Sequence, residues 1–324
     1  MSASAASTAK RIWITGASGF VGRQLCLEAV QRGCSVLASS RMPPGLLQHA
    51  NMEWTSHQQA LSGAVLGQLD VVIHVAARAH QLRETAADPT AAFRAANVDV
   101  SLAVAHAAKQ AGAARFVYVS SIGVNGDATQ GRPFHESDMP NPVEPYAVSK
   151  LEAEQALREH CAASGLQLAI VRPPLVYGLG APGNFARLLK LAQSGLPLPL
   201  AAVDNRRSFV AVENLCDLLL CLAEHPAAAG ELFLVSDGED FSTPGLLRLL
   251  AQSAGTPSRL WSLPPALLRA GAALLGQQRT FDKLCGSLQV DASKARQLLG
   301  WMPPLSATEG LAAWAAKAGK KAGG

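Results

Sequence analysis

The stretch Thr15-Gly16-Ala17-Ser18-Gly19-Phe20-Val21-Gly22 follows the apolar run Ile12 to Thr15 and opens a segment in which Val21, Leu25, Ala29 and Val30 share one helical face. A strand, a glycine turn and a helix in that order let the backbone bend tightly and approach a pyrophosphate, which the free amides of the helix N-terminus then face. Glycines alone also serve ordinary packing turns, and it is the flanking strand and amphipathic helix that point to a dinucleotide. Gly16, Ser18, Gly19, Phe20, Val21 and Gly22 are therefore cofactor-binding candidates. Gly33 stands where a left-handed cap stops the helix, and Ser35 to Ala38 reads as the second strand.

Outward from this unit, the continuous apolar runs Leu69 to Val75 and Arg115 to Ser120 have the character of strands buried on both faces of a parallel sheet. An alanine-rich helix, Ala91 to Ala111, lies between them and ends at Gly112, and Gln167 to Val171 adds a further strand before Pro173 and Pro174. The alternation defines an α/β fold, a Rossmann-type doubly wound parallel sheet. Beyond Pro174 the chain is richer in Pro and Gly, returns to β character at Glu231 to Val235 and turns helical from Pro244, which reads as a smaller C-terminal α/β substrate lobe. The expected division is a tail over 1–9, a dinucleotide domain over 10–175 with about 206–235, a substrate lobe over 176–205 and 236–318, and a tail over 319–324. Within the lobe, Leu263 to Leu275 reads as a short helix packing there or over a site entrance.

With 324 residues, 49% hydrophobic and 16% charged, the chain has ample material for a core, and a net charge of +4 is too small to indicate a nucleic-acid partner. No run approaches the ~20 apolar residues of a membrane span. The six cysteines are scattered, with no CxxC pair and no metal-ligand spacing, so they read as apolar fillers and no metal is expected. The polar segment Met1 to Ala9 lacks the apolar core of a secretory signal, and a reducing cytoplasmic location is expected.

Three positions carry the chemistry. Pro145-Tyr146-Ala147-Val148-Ser149-Lys150 opens a helix whose first residue tolerates the missing proline N–H, and the four-residue spacing puts Tyr146 and Lys150 on one face. An ammonium there is expected to lower the phenol's pKa toward neutrality and make Tyr146 an acid and base. Ser121 stands just past the strand Arg115 to Ser120, at the edge where open parallel sheets bind ligands, whereas Ser120 falls inside the strand. At the end of the second strand an acidic residue would bond a free ribose 2′-hydroxyl, but Ser39, Ser40 and Arg41 stand there instead. A guanidinium suits a 2′-phosphate, so Ser40 and Arg41 are cofactor candidates and NADP(H) is favoured over NAD.

These motifs, with His74-Val75-Ala76-Ala77, Asn97, Val119-Ser120-Ser121, Arg172-Pro173-Pro174-Leu175-Val176-Tyr177-Gly178 and Leu288 to Trp301, resemble the extended short-chain dehydrogenase/reductase superfamily, NAD-dependent epimerase/dehydratase family, from Arg11 to about Trp314. The resemblance implies Ser121, Tyr146 and Lys150 as the catalytic trio, with Lys150 also on the nicotinamide ribose. It adds His74, Ala76, Ala77, Asn97 and Pro173 to the cofactor cleft, although a satisfied buried imidazole is the plainer reading of His74. It further implies a UDP-sugar substrate contacted by Ser121, Val176, Asn184 and Arg207, a homodimer, and a place in surface-polysaccharide biosynthesis. A 4,6-dehydratase of this family carries an Asp-Glu pair after the catalytic hydroxyl, where this chain has Ile122 and Gly123. The expected reaction is NADPH-dependent reduction of a UDP-4-keto hexose, with a 4-epimerase holding NAD as the alternative and a non-catalytic NADP sensor as a remote one.

Overall fold

The computed structural model describes residues 9–41, 48–77, 89–181 and 184–322. The chain runs through β1 (Arg11–Thr15), α1 (Phe20–Gln31), β2 (Ser35–Ser40), β3 (Met52–Ser56), α2 (His57–Leu61), β4 (Val71–His74), α3 (Pro89–Arg94), a π-helical turn (Ala95–Asp99), α4 (Val100–Gln110) and β5 (Arg115–Val119). It continues with α5 (Pro145–Ser164), β6 (Gln167–Arg172), β7 (Leu175–Tyr177), α6 (Asn184–Gln193), β8 (Arg207–Ala211), α7 (Val212–Glu224), β9 (Leu232–Leu234) and β10 (Asp240–Phe241). Helices α8 (Thr243–Ser253), α9 (Pro265–Leu274), α10 (Gln278–Cys285), α11 (Ser293–Leu299) and α12 (Ala307–Ala322) complete it. Two compact units form, one from residues 1–120, 144–171 and 216–232, the other from 121–143, 172–215 and 233–324.

The principal sheet has the order β3-β2-β1-β4-β5-β6-β9. Every pairing from β3 through β6 is parallel. Reversal of strand order on either side of β1 is the doubly wound arrangement expected from the alternating apolar runs. Strands β1, β4 and β5 carry no exposed residue, because helices cover both faces, and Trp13, Val72, Phe116 and Ile170 pack with Leu157 of α5 in one cluster. The register sets Thr15 opposite both Ser39 and His74, His74 opposite Tyr118, and Val119 opposite Val171. The carboxyl ends of the central strands are thereby brought level.

Three local readings need correction. The second strand runs two residues further than Ala38, to Ser40, and Ser39 and Ser40 are buried ladder residues, with Ser39 Oγ accepting from Trp13 Nε1 at 2.8 Å. The alanine-rich helix is not continuous: the π-helical turn over Ala95–Asp99 interrupts it, the kind of local widening that recurs at functional sites. Strand β3 had no counterpart in the apolar pattern.

The second unit is built on a small sheet of order β10-β8-β7, with β7 and β8 parallel and β10 antiparallel. Its core joins Tyr177, Phe185, Phe209, Leu246, Leu250, Leu311 and Trp314, with α8 packed against α6 and α12. Asp237 ties it together, accepting from the Tyr177 hydroxyl at 2.7 Å, Asn214 Nδ2 at 2.6 Å and the Ala211 amide at 3.0 Å. Helix α9, the expected short helix, turns Leu268 onto this core but has no buried residue, and Leu267 and Leu274 are exposed. No helix among the described residues is long and apolar enough to cross a membrane.

Candidate active site

The glycine turn is as tight as its sequence requires. Gly16 has φ +69°, and a Cβ there would sit 2.7 Å from the Ala76 backbone. At Gly22 a Cβ would lie 2.2 Å from the Gly16 carbonyl oxygen. Helix α1 starts at Gly19 with no side-chain cap and no acidic residue in its first turn, while Ser18 and Gly19 are exposed. Uncapped amides with no competing carboxylate are the donor set that a pyrophosphate takes, so the turn fits a dinucleotide. Phe20 and Val21 open the helix half-buried, and Gly22 is buried beneath them.

At the far end of β2, Ser40 is buried and Arg41 is exposed. Alongside, Ala76 is half-buried and Ala77 exposed after β4. His74 is fully buried, with Nδ1 at 2.6 Å from Thr15 Oγ1 and Nε2 at 3.0 Å from Ser101 Oγ. Ser101 donates to the Asn97 carbonyl, so it accepts from the imidazole Nε2–H and the Thr15 hydroxyl donates to Nδ1. Burial, with Lys150 and His57 adding to it, holds the imidazole well below its usual pKa, hence neutral. The satisfied imidazole is the reading this geometry supports. Asn97 continues the chain of bonds, donating from Nδ2 to Ser149 Oγ at 2.9 Å, and Ser149 donates to the Tyr146 carbonyl at 2.8 Å. A single buried polar path thus links β1, β4, the π-helical turn and the first turn of α5.

Tyr146 lies in that turn, and Lys150 follows one turn further along α5. Pro145 occupies the first position of α5, and Gly165, in the left-handed conformation, ends the helix. Tyr146 is half-buried and meets Phe93 edge-on at 6.2 Å between ring centroids. Lys150 is 1% exposed, donates from Nζ to the Val119 carbonyl at 2.6 Å and lies 4.3 Å from the Tyr118 ring centroid. Burial pushes the ammonium down to about 7, opposed by Glu154. The phenol moves in the direction opposite to that expected from the four-residue spacing: burial pushes Tyr146 up to about 12. The spacing placed the two groups on one face, but the Lys150 ammonium is directed to the strand carbonyl.

In the second unit, Ser121 caps a short 3₁₀ turn over Ile122–Val124 and accepts from the Gly123 amide at 3.2 Å. Pro173 is buried and its carbonyl accepts from the Ile122 amide at 3.0 Å. Arg172, also buried, bonds Asn125 Oδ1 at 2.9 Å. Val176 is half-buried in β7, opposite Val210 of β8. Arg207 is half-buried, and its Nη1 donates to the carbonyls of Lys283 and Gly286 at 2.8 and 2.9 Å. Burial lowers the pKa of its guanidinium. Asn184 begins α6, but its side chain lies outside the described residues. Strand β5 ends at Val119, so Ser120 lies just past it rather than inside it, and donates a buried hydrogen bond to Glu154 of α5, a residue that sequence reasoning passed over; the repeat of four from Lys150 to Glu154 was the available signal.

A glycine turn at an uncapped helix, feeding a doubly wound sheet, with a tyrosine and a buried lysine one turn apart on the helix after β5, defines an enzyme of the short-chain dehydrogenase/reductase class. Residues 12–236 match the model of the NAD dependent epimerase/dehydratase family, and the chain belongs to that family. A UDP-glucose 4-epimerase of Vibrio cholerae is 37% identical over 311 residues, 93% of each chain. A GDP-6-deoxy-D-mannose reductase of Pseudomonas aeruginosa is 28% identical, covering 94% of this chain and 95% of its own. Among solved structures, the UDP-glucose 4-epimerase of Thermotoga maritima with UDP-glucose superposes with a TM-score of 0.78 at 22% identity, over 96% of this chain and 99% of that one.

Proposed function

We propose that the protein reduces the C4 ketone of a UDP-linked 4-keto hexose, drawing on NADPH. The observation that carries this reading is the end of β2, where Ser40 and the exposed Arg41 stand without a carboxylate. An acidic residue there would favour a free ribose 2′-hydroxyl, whereas a guanidinium suits a 2′-phosphate and a dinucleotide that exchanges at each turnover. The curated relatives include both a reductase and an epimerase acting on nucleotide sugars, which supports a nucleotide-sugar substrate.

The bound nicotinamide supplies the hydride. Gly16, Ser18, Gly19, Phe20, Val21 and Gly22 would hold its pyrophosphate, and Ala76, Ala77, Asn97, Lys150 and Pro173 would line the remainder of the dinucleotide. His74 acts from behind, through Thr15 and Ser101. Tyr146 protonates the C4 oxygen as negative charge develops there, and Ser121 orients the carbonyl by donating its hydroxyl. Lys150, as the ammonium, stabilises the tyrosinate that remains. In the second unit Val176, Asn184 and Arg207 contact the UDP-sugar, Arg207 through the guanidinium donors left over from its two carbonyl bonds.

A second reading, 4-epimerisation of a UDP-hexose with retained NAD, is favoured by the 37% identity to the Vibrio enzyme. The cytoplasm is the compartment in which nucleotide sugars and NADPH are both available, surface-polysaccharide assembly is the process such a product would enter, and a homodimer is the expected assembly. Purified protein tested with NADPH and a panel of UDP-4-keto sugars discriminates the two readings. Turnover in at least one case, lost by a factor of about 10² to 10⁴ in Tyr146→Phe with dinucleotide affinity retained, is the expected result. Undiminished turnover in Tyr146→Phe would refute the assignment.

A further inference from the structure

Helix α5 grips the end of β5 at two consecutive residues. Lys150 Nζ donates to the Val119 carbonyl at 2.6 Å, and one helical turn later Glu154 Oε1 accepts from Ser120 Oγ at 2.5 Å. Lys150 and Glu154 share a helix face through their spacing, and each is 1% exposed. A carboxylate withdrawn this far from water is costly unless it is hydrogen-bonded and faces a charge, and the same holds for an ammonium. The proton-transfer roles assigned above make no use of Glu154.

The groups around Lys150 come from each neighbouring element. Strand β5 contributes the Val119 carbonyl and the Tyr118 ring, β4 the neutral His74, and α5 Glu154. The π-helical turn and α4 carry the uncharged Asn97 and Ser101, which bond Ser149 and His74. Glu154 is the carboxylate of this set, and its negative charge acts on Lys150 against the burial that presses the ammonium toward neutrality. Ser120, next to Val119, fixes where that charge sits.

We propose that Glu154 is a positioning residue for Lys150: its carboxylate, anchored by Ser120, keeps Lys150 as an ammonium pinned to the Val119 carbonyl at the end of β5. The inference deepens the proposed function and rests on Lys150 serving that reaction in its charged form. It extends the catalytic apparatus one helical turn beyond the tyrosine and lysine, to a glutamate that touches neither substrate nor cofactor.

The test is a titration of Lys150 in the full chain by ¹³Cε-lysine NMR, with Lys150→Met identifying the resonance, alongside the pH profile of kcat/KM. In Glu154→Gln the Lys150 midpoint is expected to fall by at least about one pH unit, a tenfold change in protonation, and the alkaline limb of kcat/KM to move acidward with it. Glu154→Asp keeps the charge and is expected to hold the midpoint near that of the parent protein and recover most of the turnover. An unmoved midpoint in Glu154→Gln overturns the proposal. If that variant yields no folded protein, Glu154→Asp decides: a retained midpoint supports the proposal, and a fall of a full unit overturns it. A midpoint that moves in Glu154→Gln while the alkaline limb does not supports the Glu154 assignment and contradicts the role given to Lys150 in turnover.

Discussion

Gly22→Ala sets two physical effects against each other. Gly22 lies in the first turn of α1, where alanine is intrinsically better than glycine by about 1 kcal/mol, so propensity alone predicts a more stable protein. The added Cβ, however, would stand 2.2 Å from the Gly16 carbonyl oxygen and 2.8 Å from Ala17 Cα. Both are backbone atoms of the glycine turn, which cannot rotate aside as a side chain would. Overpacking of this kind costs about 1–3 kcal/mol, and contacts this short belong at the upper end. The net expectation is a loss of about 1–2 kcal/mol in urea denaturation, together with a turn displaced from its phosphate-binding form and dinucleotide affinity reduced at least tenfold. Gly271→Ala in α9 provides the control, because nothing lies within 4 Å of its added Cβ. That variant should gain about 0.5–1 kcal/mol and bind dinucleotide normally. Equal or greater stability in Gly22→Ala, with unchanged dinucleotide affinity, would refute the argument that helix α1 is pressed onto the turn for a ligand's sake.

Three further outcomes concern Tyr177, His74 and Arg41. Tyr177→Phe removes one of the donors to buried Asp237 and should cost about 1–3 kcal/mol in chemical denaturation, without altering dinucleotide affinity. His74 stays neutral when folded but takes a proton near pH 6.5 when unfolded, so its contribution is present above that pH and lost as pH falls below it. Stability should therefore drop by up to about 1.4 kcal/mol between pH 6.5 and 5.5 on this group's account, and the slope should be shallower in His74→Asn. Arg41→Ala should weaken NADPH binding about tenfold in a fluorescence titration while leaving NAD binding within twofold, as expected for the loss of one charge-assisted contact to a 2′-phosphate.

Much of this architecture is legible in the chain because the sheet is buried on both faces, so its strands read as unbroken apolar runs, and because Gly33 and Gly112 mark helix ends by their left-handed conformation. Strand β3 escaped notice because Met-Glu-Trp-Thr-Ser forms one edge of the sheet, half-buried and without a clean apolar pattern. The π-helical turn over Ala95–Asp99 leaves no mark in the alanine-rich segment, whose residues are read as one continuous helix. Four-residue spacing placed Tyr146 and Lys150 on one face, but spacing does not say where a flexible lysine ends. Its direction toward Val119 is set by the strand the helix covers, and the upward rather than downward shift of the Tyr146 phenol comes from burial. The four-residue repeat puts Glu154 on the face of Lys150, but it is the packing of α5 that shows it enclosed.

The reductase reading turns on where the hydride goes. Purified protein supplied with NADPH deuterated at the transferring C4 position and with a UDP-4-keto hexose should release one NADP⁺ for each product formed. The deuterium should appear at C4 of the sugar, and Tyr146→Phe should be silent. Interconversion of two UDP-hexoses by a tightly held NAD, with no net NADPH consumption and no deuterium in the product, would contradict it.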